Sequence, residues 1–163
     1  GLLAQRWLRA AAALALAAAV ALAAGSGIRR MWIGPDLAQG APWRLSTKWI
    51  DCHPEQRECG GSRTRIFFHT TFENGPWFEL DLGRVRQVAR VRVENRDDCC
   101  QERALPLIVE VRDQMGPFRE VARRTALFQN WEVTFAPTQA RYVRLRVPQV
   151  TMFHLSRVEV RQR

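Results

Sequence analysis

The sequence predicts an all-β fold, a jelly-roll β-sandwich, preceded by one N-terminal transmembrane helix. Three observations carry this expectation. Beyond residue 42, about eight short runs alternate apolar with polar residues and are broken by Gly, Pro, Asp and Asn. No stretch after residue 28 sustains a helical period. Residues 10–28 form 19 consecutive uncharged residues, mostly alanine.

That uncharged run is bounded by Arg9 on one side and by Arg29 and Arg30 on the other. At about 1.5 Å per residue it reaches about 28 Å, close to the hydrocarbon thickness of a bilayer. Alanine inserts weakly, so the run is a marginal span expected to lean on neighbouring protein, and its small side chains allow close helix approach. Trp7 and Trp32 sit where an interfacial aromatic belt would place them. The competing reading is a cleaved signal peptide with Ala21-Leu22-Ala23 as its cleavage motif. The expected organisation is a cytoplasmic stub over residues 1–9, the span over 10–28, a stiff linker over 29–42 and the sandwich over 43–163. Gly34-Pro35-Asp36 and Gly40-Ala41-Pro42 mark the linker.

Strands are expected over residues 65–69, 77–82, 88–93, 107–112, 118–122, 131–135, 142–147 and 158–161. In 77–82, acidic residues interleave with apolar ones before Gly83. In 88–93, Arg90 and Arg92 are expected to point away from the core. Asp113-Gln114-Met115-Gly116-Pro117 closes the run at 107–112. Strands at such spacing, with no helical pattern between them, indicate a sandwich.

The chain carries 25 Lys and Arg against 16 Asp and Glu, a formal charge of +9. Only Arg6 and Arg9 precede the uncharged run, so most of the excess belongs to the folded domain and favours acidic partners, anionic lipid surfaces or anionic glycans. No zinc-finger spacing, RNA-binding sheet motif or basic helix is present, so nucleic acid is not an expected partner. Lys48 is the single lysine, which with the alanine richness points to a bacterial, GC-rich source. Cys52, Cys59, Cys99 and Cys100 allow three pairings. The expected ones are Cys52–Cys59, closing a short loop, and Cys99–Cys100, a bond between adjacent residues. Both require an oxidising compartment, which places the domain in the periplasm or outside the cell and the N-terminus inside. Four reduced thiols in a cytoplasmic domain are the alternative. Adjacent cysteines chelate one ion poorly, so no metal site is expected from them.

The segment Glu94-Asn95-Arg96-Asp97-Asp98-Cys99-Cys100-Gln101-Glu102-Arg103 directly follows a predicted strand and gathers arginines, acids and adjacent cysteines. It stands beside Gly75-Pro76-Trp77-Phe78-Glu79-Leu80-Asp81-Leu82-Gly83, Tyr142-Val143-Arg144-Leu145 and Val158-Glu159-Val160. Together these segments resemble the F-type lectins of the discoidin, or coagulation factor 5/8 type C, superfamily, over about residues 43–161. The resemblance implies a discoidin-like, galactose-binding-like sandwich. It also implies that one histidine and two arginines hold a fucose-like sugar while a vicinal disulfide packs against it. By position these are His69, Arg96 and Arg103, with Cys99–Cys100. Arginine forks and an imidazole suit hydroxyl and ring oxygens, and Asp98 could orient Arg96 or Arg103 through a bidentate pair.

Structural roles compete with these assignments. Arg96, Asp98 and Arg103 would also serve as a salt-bridged loop, and His69 as a hydrogen-bonded strand-end residue. Trp77 and Phe78 are expected in the core. Trp43 and Trp49 fit core or rim, and His53 and His154 show no partner pattern. Phe72 and Trp49 could touch lipid. The family's calcium loop normally carries an Asp-Gly-Asn-like element, where this chain reads Trp49-Ile50-Asp51-Cys52-His53-Pro54. The acidic residue near the last strand is replaced around Ser156-Arg157, although Glu159 remains. These departures argue against calcium, and no cofactor is expected. No nucleophile elbow, phosphate loop or His-Glu-x-x-His is present, so no enzyme is expected. The expected function is a membrane-anchored binding module for a glycan or protein surface. The alternative is an accessory subunit of a larger membrane complex, for example an energy-transducing one, with the sandwich docked on its periplasmic face.

Overall fold

The computed structural model describes residues 34–49 and 66–162. The expected span at 10–28, Trp7, Trp32, His53 and the expected Cys52–Cys59 bond lie outside the described residues. Among the described residues no helix is long and apolar enough to cross a membrane. The elements are β1 (Trp43–Leu45), β2 (Phe68–His69), β3 (Glu73–Asn74), β4 (Trp77–Glu94), a 3₁₀ turn (Gln101–Ala104), β5 (Leu107–Arg112), β6 (Arg119–Arg124), β7 (Asn130–Arg146), β8 (Val150–Thr151), β9 (His154–Leu155) and β10 (Arg157–Arg161). All strand pairs are antiparallel.

Two long strands replace four expected short ones. The runs at 77–82 and 88–93 are one strand, β4, of 18 residues. Likewise 131–135 and 142–147 merge into β7, of 17 residues. Gly83 does not end its strand. It adopts φ +75 and begins a register shift between Asp81 and Arg86, so the β4–β7 ribbon bends there and continues. A bulge of this kind needs a left-handed residue, which glycine supplies without a Cβ penalty. A second shift between Val88 and Arg90 re-phases the strand, so Val88, Val91 and Val93 are all buried while Arg90 and Arg92 are partly exposed.

The bend lets one ribbon serve two layers. Its first half lies in the order β1-β4-β7-β5-β6, and its second half takes β10 along β4. β2–β9 and β3–β8 form separate short pairs. Apolar side chains of both halves enter a single core with Phe68, Val109, Val111, Phe153 and Leu155. Phe68 and Phe78 stack at 4.5 Å between centroids, and Phe153 meets Phe68 edge-on at 5.0 Å. Full burial of such side chains contributes about 1.5–3 kcal/mol each. Residues expected as linker also belong to this body. Leu37 N–H donates to the Val160 carbonyl, Val160 N–H donates to Asp36 Oδ1, and Leu37 and Ala41 pack against the core.

The period of two corrects one expectation. Phe78 is core, but Trp77 shares the opposite face with Glu79 and Asp81 and is only half-buried. That face is tiled by arginines. Arg44 and Arg144 both reach Glu79, whose side chain is 1% exposed. Arg144 also lies over Trp77 and Phe118, 4.7 and 3.6 Å from their ring centroids. Arg146 pairs with Glu110 and Arg141 with Asp81. Phe78→Ala is expected to lower the unfolding free energy by about 3–5 kcal/mol, read from urea denaturation. Phe72→Ala, at a side chain 65% exposed, should change it by no more than about 0.5 kcal/mol.

Candidate functional site

At the end of β4 the chain leaves the sheet through a loop that is fastened before it exposes anything. Asn95 is buried, and its Nδ2 donates to the carbonyls of Gln101 and Phe128. Gln129 Nε2 donates to the Asn95 carbonyl and Gln101 Nε2 to the Arg96 carbonyl. The two glutamines also join each other. These three amides satisfy the carbonyls of Asn95, Arg96 and Gln101 at the root of the loop, as buried backbone requires. The 3₁₀ turn follows, seated by the buried methyl of Ala104.

Arg96 is held by a two-pronged pair. Its Nε donates to Asp98 Oδ1 and its Nη2 to Asp98 Oδ2, both at 2.5 Å. The Arg96 side chain is 11% exposed and that of Asp98 is 36% exposed. The hydrogen bond from Asp98 is the chief reason the guanidinium pKa is raised, so Arg96 stays charged despite its burial. Asp98 Oδ1 also accepts from the Cys99 N–H. Cys99 and Cys100 form a disulfide between adjacent residues, with Cys99 exposed and Cys100 at φ 60. Arg103, on the 3₁₀ turn, is half-buried and points its Nη1 to Met152 Sδ at 3.8 Å.

His69 approaches from β2. Its Nδ1 lies 2.6 Å from the Thr70 carbonyl. A carbonyl only accepts, so Nδ1 carries the hydrogen in the neutral ring and Nε2 is the lone-pair atom. Burial lowers the His69 pKa below its ordinary value of 6.5, and the charges of Arg96 and Arg103 lower it further, against the Thr70 carbonyl. Both arginines therefore act on the histidine, so the loop after β4 lies near strand β2. Trp49 flanks His69 with centroids 5.4 Å apart and is 40% exposed, so it is a rim residue, next to the exposed Lys48. Trp43 instead packs against the core.

Sequence reading missed His154. It is the cross-strand partner of His69, and the two rings stack at 5.2 Å and 24°. His154 is fully buried, and among the described residues neither ring nitrogen has a hydrogen-bond partner. Such an orphan costs about 1–3 kcal/mol. Burial, then His69, Arg96 and Arg103, push its pKa down to about 3, with Asp98 opposing. Only the β2–β9 pairing brings the two histidines together, and no sequence spacing encodes that. Met152 and Gln129 were missed for a like reason, since each meets the loop from a distant segment.

The site therefore offers two guanidinium donors, a neutral imidazole acceptor and an exposed disulfide face. That set suits a neutral polyol with adjacent oxygens. Among the described residues no three His, Cys, Asp or Glu side chains converge to hold a metal ion. Glu159, the acid that remains near the last strand, is taken up by Arg157 and Arg161, an environment that does not fit a cation.

The histidines give a sign to the pH dependence of stability. Unfolded histidine binds its proton near 6.5, but folded His154 does so only near 3. Between those values the unfolded chain holds more protons, so this contribution is complete above the unfolded value and is lost as pH falls toward 3. Urea midpoints between about pH 7 and about pH 4.5 are expected to fall, and less steeply in His154→Phe than in the parent chain.

Comparison with known proteins agrees with this fold. The model of the NedA-like, galactose-binding domain, of F5/F8 type C, matches residues 59–145. Fucolectin-6 of Anguilla japonica is 29% identical over 126 residues, covering 72% of this chain and 68% of the relative. The lectin domain of Lectinolysin, solved in complex with Lewis B antigen, superposes with a TM-score of 0.63 at 26% identity, covering 77% of this chain and 95% of that one. A Streptococcus pneumoniae fucose binding module has the same fold, with a TM-score of 0.66 at 24% identity over 80% of this chain and 96% of that one. With its discoidin-like sandwich and lectin-like module fold, the chain belongs to the F5/F8 type C family of NedA-like, galactose-binding domains.

Proposed function

We propose that this chain is a non-catalytic glycan-binding module that recognises a fucose-like sugar. The observation that carries the reading is that Arg96 and Arg103 both act electrostatically on His69, in a loop that also holds the Cys99–Cys100 disulfide with Cys99 exposed. Arg96 and Arg103 donate to vicinal hydroxyl and ring oxygens. The neutral His69 Nε2 accepts from a sugar hydroxyl, and the disulfide covers an apolar C–H face. The named ligands of the relatives, fucose and Lewis antigens, have this chemistry. Residues 10–28 hold the module at a membrane with the sandwich in the periplasm or outside the cell. The disulfide supports that side, because it persists in oxidising compartments.

Calorimetry of the full chain with L-fucose tests the reading, with D-glucose as control. Binding of L-fucose is expected, and Arg96→Ala or Arg103→Ala should each weaken it at least about tenfold, the worth of one charge-assisted hydrogen bond. No binding at millimolar L-fucose, or unchanged affinity in both variants, would sink it. Membrane attachment has its own test: deleting residues 1–33 should move the protein from the membrane fraction to the soluble one.

A further inference from the structure

His154 is a side chain for which core packing gives no reason. Its neighbours in sequence, Phe153 and Leu155, are fully buried apolar core residues. His154 is as deeply buried as they are, yet among the described residues both its ring nitrogens lack partners. Leucine or phenylalanine would fill that space without the cost of the orphaned nitrogens. What distinguishes position 154 is its place in the register, directly across from His69, with the two rings nearly parallel.

We propose that His154 is a positioning residue of the ligand site, whose flat ring fixes the plane of the His69 imidazole and keeps water from it. The inference rests on the sugar-binding reading of His69. The Thr70 carbonyl also holds the His69 ring at Nδ1, and Trp49 flanks it. Neither contact fills the space that His154 occupies. The charged groups that act on this pair are Arg96 and Arg103, with Asp98 opposing them at His154. A proton on His154 would add a further positive charge beside two arginines, so the ring remains an uncharged plate. By keeping His69 dry, it holds the imidazole neutral into mildly acid solution. By fixing the ring plane, it sets how that imidazole faces the two arginines that act on it.

The test is carried out on the full chain with two readouts, the NMR titration of the His69 ring and calorimetry with L-fucose. His154→Ala admits water, and the His69 titration midpoint should rise toward 6.5 while fucose affinity falls about tenfold. His154→Leu fills the space with a side chain that is not flat. It should keep the fold and still lower affinity several-fold. His154→Phe restores a flat ring. It should hold the His69 midpoint, return affinity to within about threefold of the parent chain and raise the urea midpoint. An unmoved His69 midpoint in His154→Ala overturns the proposal. So does His154→Leu binding as tightly as the parent, or His154→Phe binding as weakly as His154→Leu. The His69 titration needs no sugar. A shifted midpoint in a chain that binds no fucose would refute the sugar reading while leaving the positioning of His69 intact.

Discussion

The continuous antiparallel pairing of β4 with β7 is the constraint on which the rest of the molecule depends. Every strand of the large sheet is attached to it directly or through one neighbour. Because side chains alternate with a period of two, a slip of one residue would turn Phe78 and Leu80 outward and Glu79 inward. The register is pinned at both ends of the ribbon, by the core on one side of the bend and by the β10 ladder on the other. The loop after Glu94 inherits that precision. Its anchors, Phe128 and Gln129, immediately precede the first residue of β7. The loop is therefore rooted on the two longest strands.

Arginine does two different jobs in this chain. On the outer sheet face it neutralises carboxylates, and most of those pairs are exposed enough to contribute little to stability, about 0–1 kcal/mol each. Glu79 is the exception. A carboxylate buried that fully must be paired, and two guanidinium groups close over it. At the loop the roles separate. Arg96 has its charge compensated by Asp98 and its position set by it, whereas Arg103 rests on a thioether that compensates nothing. One guanidinium of the loop is thus matched by a carboxylate in place, and the other lies beside a thioether.

Most of the fold was legible in the sequence because alternation survives in single segments. The expected runs at 107–112 and 158–161 lie on strands, the run at 142–147 does so up to Arg146, and Arg90 and Arg92 do turn away from the core. The error at Gly83 arose because a break in alternation has two causes, an end and a bulge, and only the partner strand distinguishes them. Trp77 was misplaced because its size suggests burial, while its phase puts it beside Glu79. In the site, the loop residues were legible because they lie within ten positions of one another. His69 was reached only through a resemblance. His154, Met152 and Gln129 depend on pairings between distant segments, and a single sequence contains no record of those.

The isolated lysine acquires a meaning from its position. Lys48 is the only lysine in the chain, is exposed, and adjoins the tryptophan that flanks His69. Reagents that acylate or reductively alkylate side-chain amines thus have one target, and it sits at the mouth of the site. Attachment of the protein to a surface through that amine would orient every molecule alike, with its recognition face turned toward the support. A label placed there would report changes around Trp49 and the His69 ring it flanks.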